Sequence, residues 1–95
     1  MSYEESFTRD QAIAFARGCA QRAARYAEGR TESVHAARTA KSYADRAAKT
    51  RSLLDARGCA FVAALEAIEA AFYAGAEEAE RERQHAMLAE FHSLP

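Results

Sequence analysis

Apolar and polar residues follow one another along this chain with the three-and-four spacing of amphipathic helices. The first such face predicts a helix over residues 8–28 and collects Ala12, Ile13, Ala16, Cys19, Ala20, Ala23, Tyr26 and Ala27. Thr8 and Gln11 have the spacing of a capping box at its start. Gly29 is placed to end the helix in a left-handed conformation.

A second helix is predicted over residues 31–49, with Thr31 or Ser33 as its N-cap. Its apolar face consists almost entirely of methyl groups and comprises Val34, Ala37, Ala40, Tyr43, Ala44, Ala47 and Ala48. Helices with such small faces can approach at the short end of the usual range of about 8 to 10 Å. We therefore expect closely packed helices.

The stretch from Thr50 to Tyr73 holds half of the large aliphatic and Phe residues, namely Leu53, Leu54, Phe61, Val62, Leu65, Ile68 and Phe72. We expect every other helix to pack on it. Thr50 or Ser52 is a suitable N-cap for a third helix starting at residue 51, and Asp55 completes the Ser-x-x-Asp spacing. Gly58 offers an alternative end for the second helix.

The pentapeptide Ala16–Ala20 recurs without change as Ala56–Ala60. Its position in the first helix favours an internal Gly58 in the third helix. A glycine inside a helix costs roughly 1 kcal/mol relative to Ala, and close helix contact at a small-residue notch would offset that cost. If the first and third helices run parallel, Cys19 would lie near Cys59. Internal duplication and chance repetition in an Ala-rich chain both fit.

After Phe72 an acidic run precedes a return of apolar residues at Met87, Leu88 and Phe91. Gly75 has no other turn residues around it, so a continuous helix over residues 51–92 is the preferred interpretation. At 1.5 Å per residue it would be about 63 Å long and would overhang its partners. The alternative is a turn at Gly75 that starts a fourth helix.

Composition supports a thin helical core. Ala supplies 25 of the 95 residues, whereas Leu, Ile, Val and Phe together supply 14. A single domain over residues 1–95 is expected, folded as an all-α bundle of three helices with a long C-terminal helix. Because a core of this size supplies only about 3 to 5 kcal/mol, we expect a homodimer or higher homo-oligomer.

The sequence also narrows the classes of function. No apolar run reaches the roughly 20 residues of a membrane span, and the first residues lack the pattern of a signal peptide, so we expect a cytoplasmic protein with reduced cysteines. No constellation of residues predicts catalysis or a cofactor site. We expect a protein that is not an enzyme.

Charge is unevenly distributed along the chain. Residues 9–57 carry 11 Lys or Arg against 5 Asp or Glu, and residues 58–95 carry 2 against 7. The predicted partner-binding residues are therefore the basic set Arg22, Arg25, Arg38, Lys41, Arg46 and Lys49 and the apolar set Met87, Leu88 and Phe91. The leading functional hypothesis is a protein–protein interaction module, acting as a small adaptor, regulator or inhibitor of the kind that bacteria and phages encode. Nucleic-acid binding by the basic residues is the alternative.

Two Glu-x-x-His spacings, Glu32 with His35 and Glu82 with His85, give a second alternative. Each places a carboxylate and an imidazole on one helical face. The spacing resembles that of ferritin-like proteins, in which two such pairs and two further Glu residues hold a di-metal centre. Glu66 or Glu69 is the candidate for an extra ligand. The resemblance covers only the four residues of the two pairs.

Overall fold

The computed structural model describes the backbone of residues 8–93 and the side chains of residues 8–75 and 77–86. Within that range the chain forms four α-helices and no strand. They are α1 (Arg9–Ala27), α2 (Val34–Lys49), α3 (Leu53–Ala74) and α4 (Ala76–Ser93), with a short 3-10 helix at Thr31–Ser33 before α2. The prediction of an all-α fold is confirmed.

The helix α3 is the centre of the bundle, as predicted. It contacts α1, α2, α4 and the short 3-10 helix, while α1 and α2 also contact each other. Three helices thus pack around a common interior, and α4 lies against α3. The side chains at these contacts are almost all the methyl groups of Ala, whereas the large apolar residues of α3 were expected there.

The interior is built from Ala. Apart from Ile13, Cys19 and Cys59, every buried member of the core cluster among the described residues is an alanine. From α3 these are Ala56, Ala60, Ala63, Ala64, Ala67 and Ala70. The other helices pack on α3 but not mainly on its large apolar residues, since Leu53, Leu54, Phe61, Leu65 and Phe72 are all exposed. Because Ala side chains are small, three helices can pack closely around one interior. Leu and Phe side chains would hold the helices farther apart.

Two predicted N-caps are confirmed, and both depend only on neighbouring residues. At the start of α1, the N–H of Gln11 donates to Thr8 Oγ1 at 3.2 Å and the N–H of Thr8 donates to Gln11 Oε1 at 3.0 Å. At the start of α3, the N–H of Asp55 donates to Ser52 Oγ at 3.1 Å. Gly29 follows α1 with φ of 72°, as a C-terminal glycine does.

The predicted cap of the second helix is wrong. Ser33 stands at the N-cap position of α2 but makes no side-chain capping bond. Its buried hydroxyl instead donates to the carbonyl oxygen of Ala70 on α3, at 3.1 Å. Thr31 begins the 3-10 helix, which supplies the entry turn of α2. A buried hydroxyl needs a partner, and the neighbouring helix provides one.

The preferred continuous helix over residues 51–92 is also wrong. Gly75 has φ of 149° and ψ of 164°, a conformation that is essentially confined to glycine. Its N–H still donates to the carbonyl of Ala71, and its carbonyl accepts from the N–H of Ala79. One glycine therefore ends α3 and begins α4 without leaving its own backbone groups unpaired, so no further turn residues are needed.

The repeated pentapeptide does not form two equivalent contact notches. Both glycines lie inside helices, as predicted, but Gly58 is exposed and a Cβ added there would meet nothing within 4 Å. A Cβ at Gly18 would lie 3.3 Å from Nη1 of Arg22. Close helix contact therefore does not explain Gly58.

Candidate protein-interaction surface

The large apolar residues of α3 form one outward stripe. Leu54, Phe61, Leu65 and Phe72 are 79%, 39%, 46% and 64% exposed. At 100° per residue these four positions fall within about 40° of arc, on the side of the helix opposite Ala63. A folded chain thus presents its bulkiest apolar side chains to solvent.

The spacing of the stripe is that of a coiled-coil contact. With Gly58 and half-buried Ile68 included, the positions advance by alternating steps of four and three residues. We call this set the seam: Leu54, Gly58, Phe61, Leu65, Ile68 and Phe72. One core position of the heptad is occupied by Leu54, Phe61 and Ile68. The other is occupied by Gly58, Leu65 and Phe72. The seam is about 27 Å long.

The exposed area of the seam is large for a chain of this size. With about 200 Å² for a fully exposed side chain, a value within the range that aromatic residues bury, the four large residues expose roughly 450 Å². The largest apolar patch on a typical monomer is about 300 to 600 Å², and such patches are often functional. The seam alone reaches that size.

The predicted basic residues do not form one free surface. Arg22 is turned toward α4, where its Nε donates to the carboxylate of Glu82 at 2.8 and 3.1 Å. Arg46 pairs with Asp55 at 3.4 Å and Lys41 pairs with Asp45 at 3.3 Å. Three of the six side chains therefore meet a carboxylate within the chain. The other three, Arg25, Arg38 and Lys49, are exposed.

The buried pair of Arg22 and Glu82 attaches α4 to α1. Only 2% of the Glu82 side chain is exposed, against 28% of Arg22. The phenol of Tyr26 also donates to Glu82 Oε1, at 3.0 Å. Ala79 and Ala86, three residues before and four after Glu82, are buried as well. The acidic run of α4 thus contributes one carboxylate to the interior.

The two Glu-x-x-His pairs lie in different settings. Both oxygens of Glu82 are engaged by Arg22 and Tyr26, while His85 is exposed. The other histidine, His35, is exposed and favours the charged form of Glu66 on α3, one of the two residues suggested as an extra ligand.

Burial, and then the charge and hydrogen bond of Glu69, raise the pKa of Glu66, and His35 acts in the opposite sense. Among the described residues no group of three or more His, Cys, Asp or Glu is arranged to hold a metal ion.

Both cysteines are free and buried. Burial raises the pKa of the Cys19 thiol to about 11, although the nearby Arg22 acts in the opposite sense. Burial also raises the pKa of Cys59, whose charged neighbours are Asp55 and Arg46. The two thiols thus have different electrostatic surroundings, and both are held in the protonated, unreactive form.

A groove of about 630 Å³ runs between α1 and α2 on a second side of the bundle. Its floor is made of small side chains, including Ala20, Ala24 and Ala37, and charged residues such as Arg38 and Lys41 stand at its edge. The side chains of Met87, Leu88 and Phe91, the other predicted contact residues, lie outside the described side chains.

Sequence reasoning singled out the large apolar residues of α3 but expected the other helices to pack on that stretch, and it did not identify the seam. It also missed the pairing of Arg22 with Glu82, which are 60 positions apart. None of the helices within residues 8–93 is both long and apolar enough to cross a bilayer. Comparisons of this chain with protein-family models, with curated proteins and with solved structures find no match.

Proposed function

We propose that this protein is a non-enzymatic protein–protein interaction module that works as a homo-oligomer and binds through the seam of α3. The observation that carries the proposal is that Leu54, Phe61, Leu65 and Phe72 point away from an interior already filled by Ala. Each of these side chains leaves 39% or more of its surface uncovered by its own chain. Their regular spacing matches a helix-to-helix contact.

Covering the seam favours association. At about 25 cal/mol per Å², covering the roughly 450 Å² exposed by one copy is worth about 11 kcal/mol before costs. Loss of translational and rotational freedom costs about 4 to 15 kcal/mol, and ordering of side chains and desolvation of polar groups cost more, so the area sets an upper bound on affinity.

The state of the polar groups supports a binding role rather than a catalytic one. Glu82, the most buried carboxylate among the described residues, is saturated by Arg22 and Tyr26. Burial keeps the thiols of Cys19 and Cys59 protonated. These groups are fixed in structural interactions, whereas the seam is presented to solvent.

The proposal is tested by placing a charge in the seam. Leu65→Glu should convert the oligomer to the 10.4 kDa chain in light scattering at micromolar concentration, with unchanged helicity by circular dichroism. Ala14→Glu, at an exposed position of α1, is the matched control and should keep the wild-type mass. A wild-type protein that has the mass of one chain, or a Leu65→Glu variant that keeps the larger mass, would contradict the proposal.

A further inference from the structure

We infer that the partner at the seam is a second copy of this chain, lying antiparallel to the first across a two-fold axis midway between Phe61 and Leu65. The inference rests on the proposed association through the seam and specifies its geometry. It follows from the order of large and small residues along the seam. When a second copy runs in the opposite direction, a large residue faces the one small residue, Gly58, and no two identical residues face each other.

Antiparallel pairing matches every seam position with a partner at the same height. Residues whose numbers are equally far from position 63 face each other, so Leu54 meets Phe72 of the second copy. Gly58 meets Ile68, and Phe61 meets Leu65. An antiparallel helix pair places one heptad core position opposite the other, and each of the three pairs obeys that rule. Because the contact is isologous, each pair occurs twice and all six positions are used.

The sizes of the paired residues favour this arrangement. Gly58 is exposed, with open space where a side chain would stand, so it leaves a gap opposite Ile68 of the second copy, whose side chain is half-buried against its own core and half available for contact. Parallel pairing would instead place Gly58 against Gly58 and Phe72 against Phe72. One layer would then contain a void and another would be overfilled, and both faults destabilise a packed interface. The exposed Gly58, which helix contact within one chain does not explain, thus acquires a role.

The area fits a small and weakly held dimer. The four large seam residues of two copies expose roughly 900 Å², to which exposed Gly58 and half-buried Ile68 add, so the contact comes close to the roughly 1,000 Å² expected of a biological interface. No seam position is charged, so the seam offers a partner shape and apolar surface rather than a charge pattern. A second copy provides the matching shape.

Disulfide trapping distinguishes the two orientations. In the antiparallel dimer, residue 54 of one copy is opposite residue 72 of the other and about 27 Å along the helix from its own counterpart. Disulfides require Cα atoms within about 7 Å. Mild oxidation of mixed Leu54→Cys and Phe72→Cys proteins should therefore trap a covalent heterodimer, while either variant alone stays uncrosslinked. Wild-type protein, with only its buried Cys19 and Cys59, is the control for background oxidation.

A second measurement leaves the seam intact. Spin labels at Tyr73→Cys, an exposed position beside the seam, should be separated by at least about 30 Å in the antiparallel dimer, because the two labels lie 20 residues apart in height. Parallel pairing would bring them to the same height, so that only the width of the helix pair would separate them.

Efficient crosslinking of Leu54→Cys alone, or a short distance between the spin labels, would overturn the orientation while leaving association through the seam in place. The mass of a single chain for the wild-type protein would remove the proposed function as well.

Discussion

Removing the Glu82 carboxylate should show how strongly α4 is held to the bundle. In Glu82→Ala, Arg22 loses both of its contacts with the carboxylate and Tyr26 loses its acceptor. Removing one member of a fully buried ion pair costs about 3 to 5 kcal/mol. Because 28% of the Arg22 side chain is exposed, water partly replaces the lost partner, and we expect a loss of about 2 to 3 kcal/mol.

This loss is large against the total of about 5 to 15 kcal/mol that stabilises a typical domain. In thermal unfolding followed by circular dichroism, it corresponds to a fall in Tm of about 10 to 20 °C. Glu80→Ala is the matched control on the same helix, because exposed Glu80 pairs with exposed Arg83 at 3.4 Å. That change should cost no more than about 0.5 kcal/mol.

Arg22→Met is the complementary change. It leaves the Glu82 carboxylate buried without a cation and should cost more than Glu82→Ala, about 3 to 5 kcal/mol. Equal and small effects of Glu82→Ala and Glu80→Ala on the free energy of unfolding would refute the conclusion that the buried pair attaches α4 to α1.

Three further predictions concern single positions. In chemical denaturation of the Leu65→Glu variant, which lacks the seam contact, Gly58→Ala should stabilise the helix by about 0.5 to 1 kcal/mol, whereas Gly75→Ala should destabilise the protein by about 1 to 3 kcal/mol because it imposes a glycine-only conformation on Ala. Ala40→Leu in the interior should cost at least about 1 to 3 kcal/mol, while Ala24→Leu at an exposed position should be nearly neutral in the same assay; equal costs would contradict an interior filled by methyl groups. The native state keeps the Cys19 proton up to a pKa of about 11, whereas the unfolded thiol loses it near 9.0, so this contribution to stability is complete below pH 9 and is lost as pH rises through 11. Unfolding measured across this range should show the decline in wild-type protein and a smaller one in Cys19→Ala. The variant retains the parts due to the raised pKa values of Cys59 and Tyr26, and identical declines would exclude the Cys19 thiol as a source.

The features that could be predicted from the sequence are those fixed by neighbouring residues. The caps at Thr8 and Ser52 and the glycine at position 29 depend on groups within three or four positions of one another. The hydroxyl of Ser33 could not be assigned in the same way, because its acceptor is the carbonyl of Ala70, 37 positions away. Local patterns therefore locate the helices but do not determine the contacts between them.

The orientation of α3 could not be predicted because this helix is apolar on nearly all sides. Periodicity identifies an inward face only where a polar face stands opposite it. Here an Ala face opposes a face of Leu and Phe, and both are apolar. Either face satisfies the hydrophobic pattern, and the choice depends on how closely three helices can approach. The stepping of four and three from Leu54 to Phe72 was a visible signal for a second contact surface.

The turn at Gly75 shows the same limit. Its sequence surroundings favour a continuous helix, since the residues on both sides are helix formers. The turn brings Glu82 to Arg22 and Tyr26 on α1, contacts that a straight helix extending beyond the bundle would forgo. Tertiary contacts thus decide a boundary that local propensity leaves open.

The central claim is that alanines fill the interior while the large residues of α3 face outward and are covered by association. Hydroxyl-radical footprinting of Phe61 and Phe72, read by mass spectrometry, tests it most directly. Both rings should be modified readily in the Leu65→Glu variant and protected in the wild-type protein at concentrations where its mass exceeds that of one chain. Protection of both rings in a Leu65→Glu variant that has the mass of a single chain would place them inside the bundle and contradict the account.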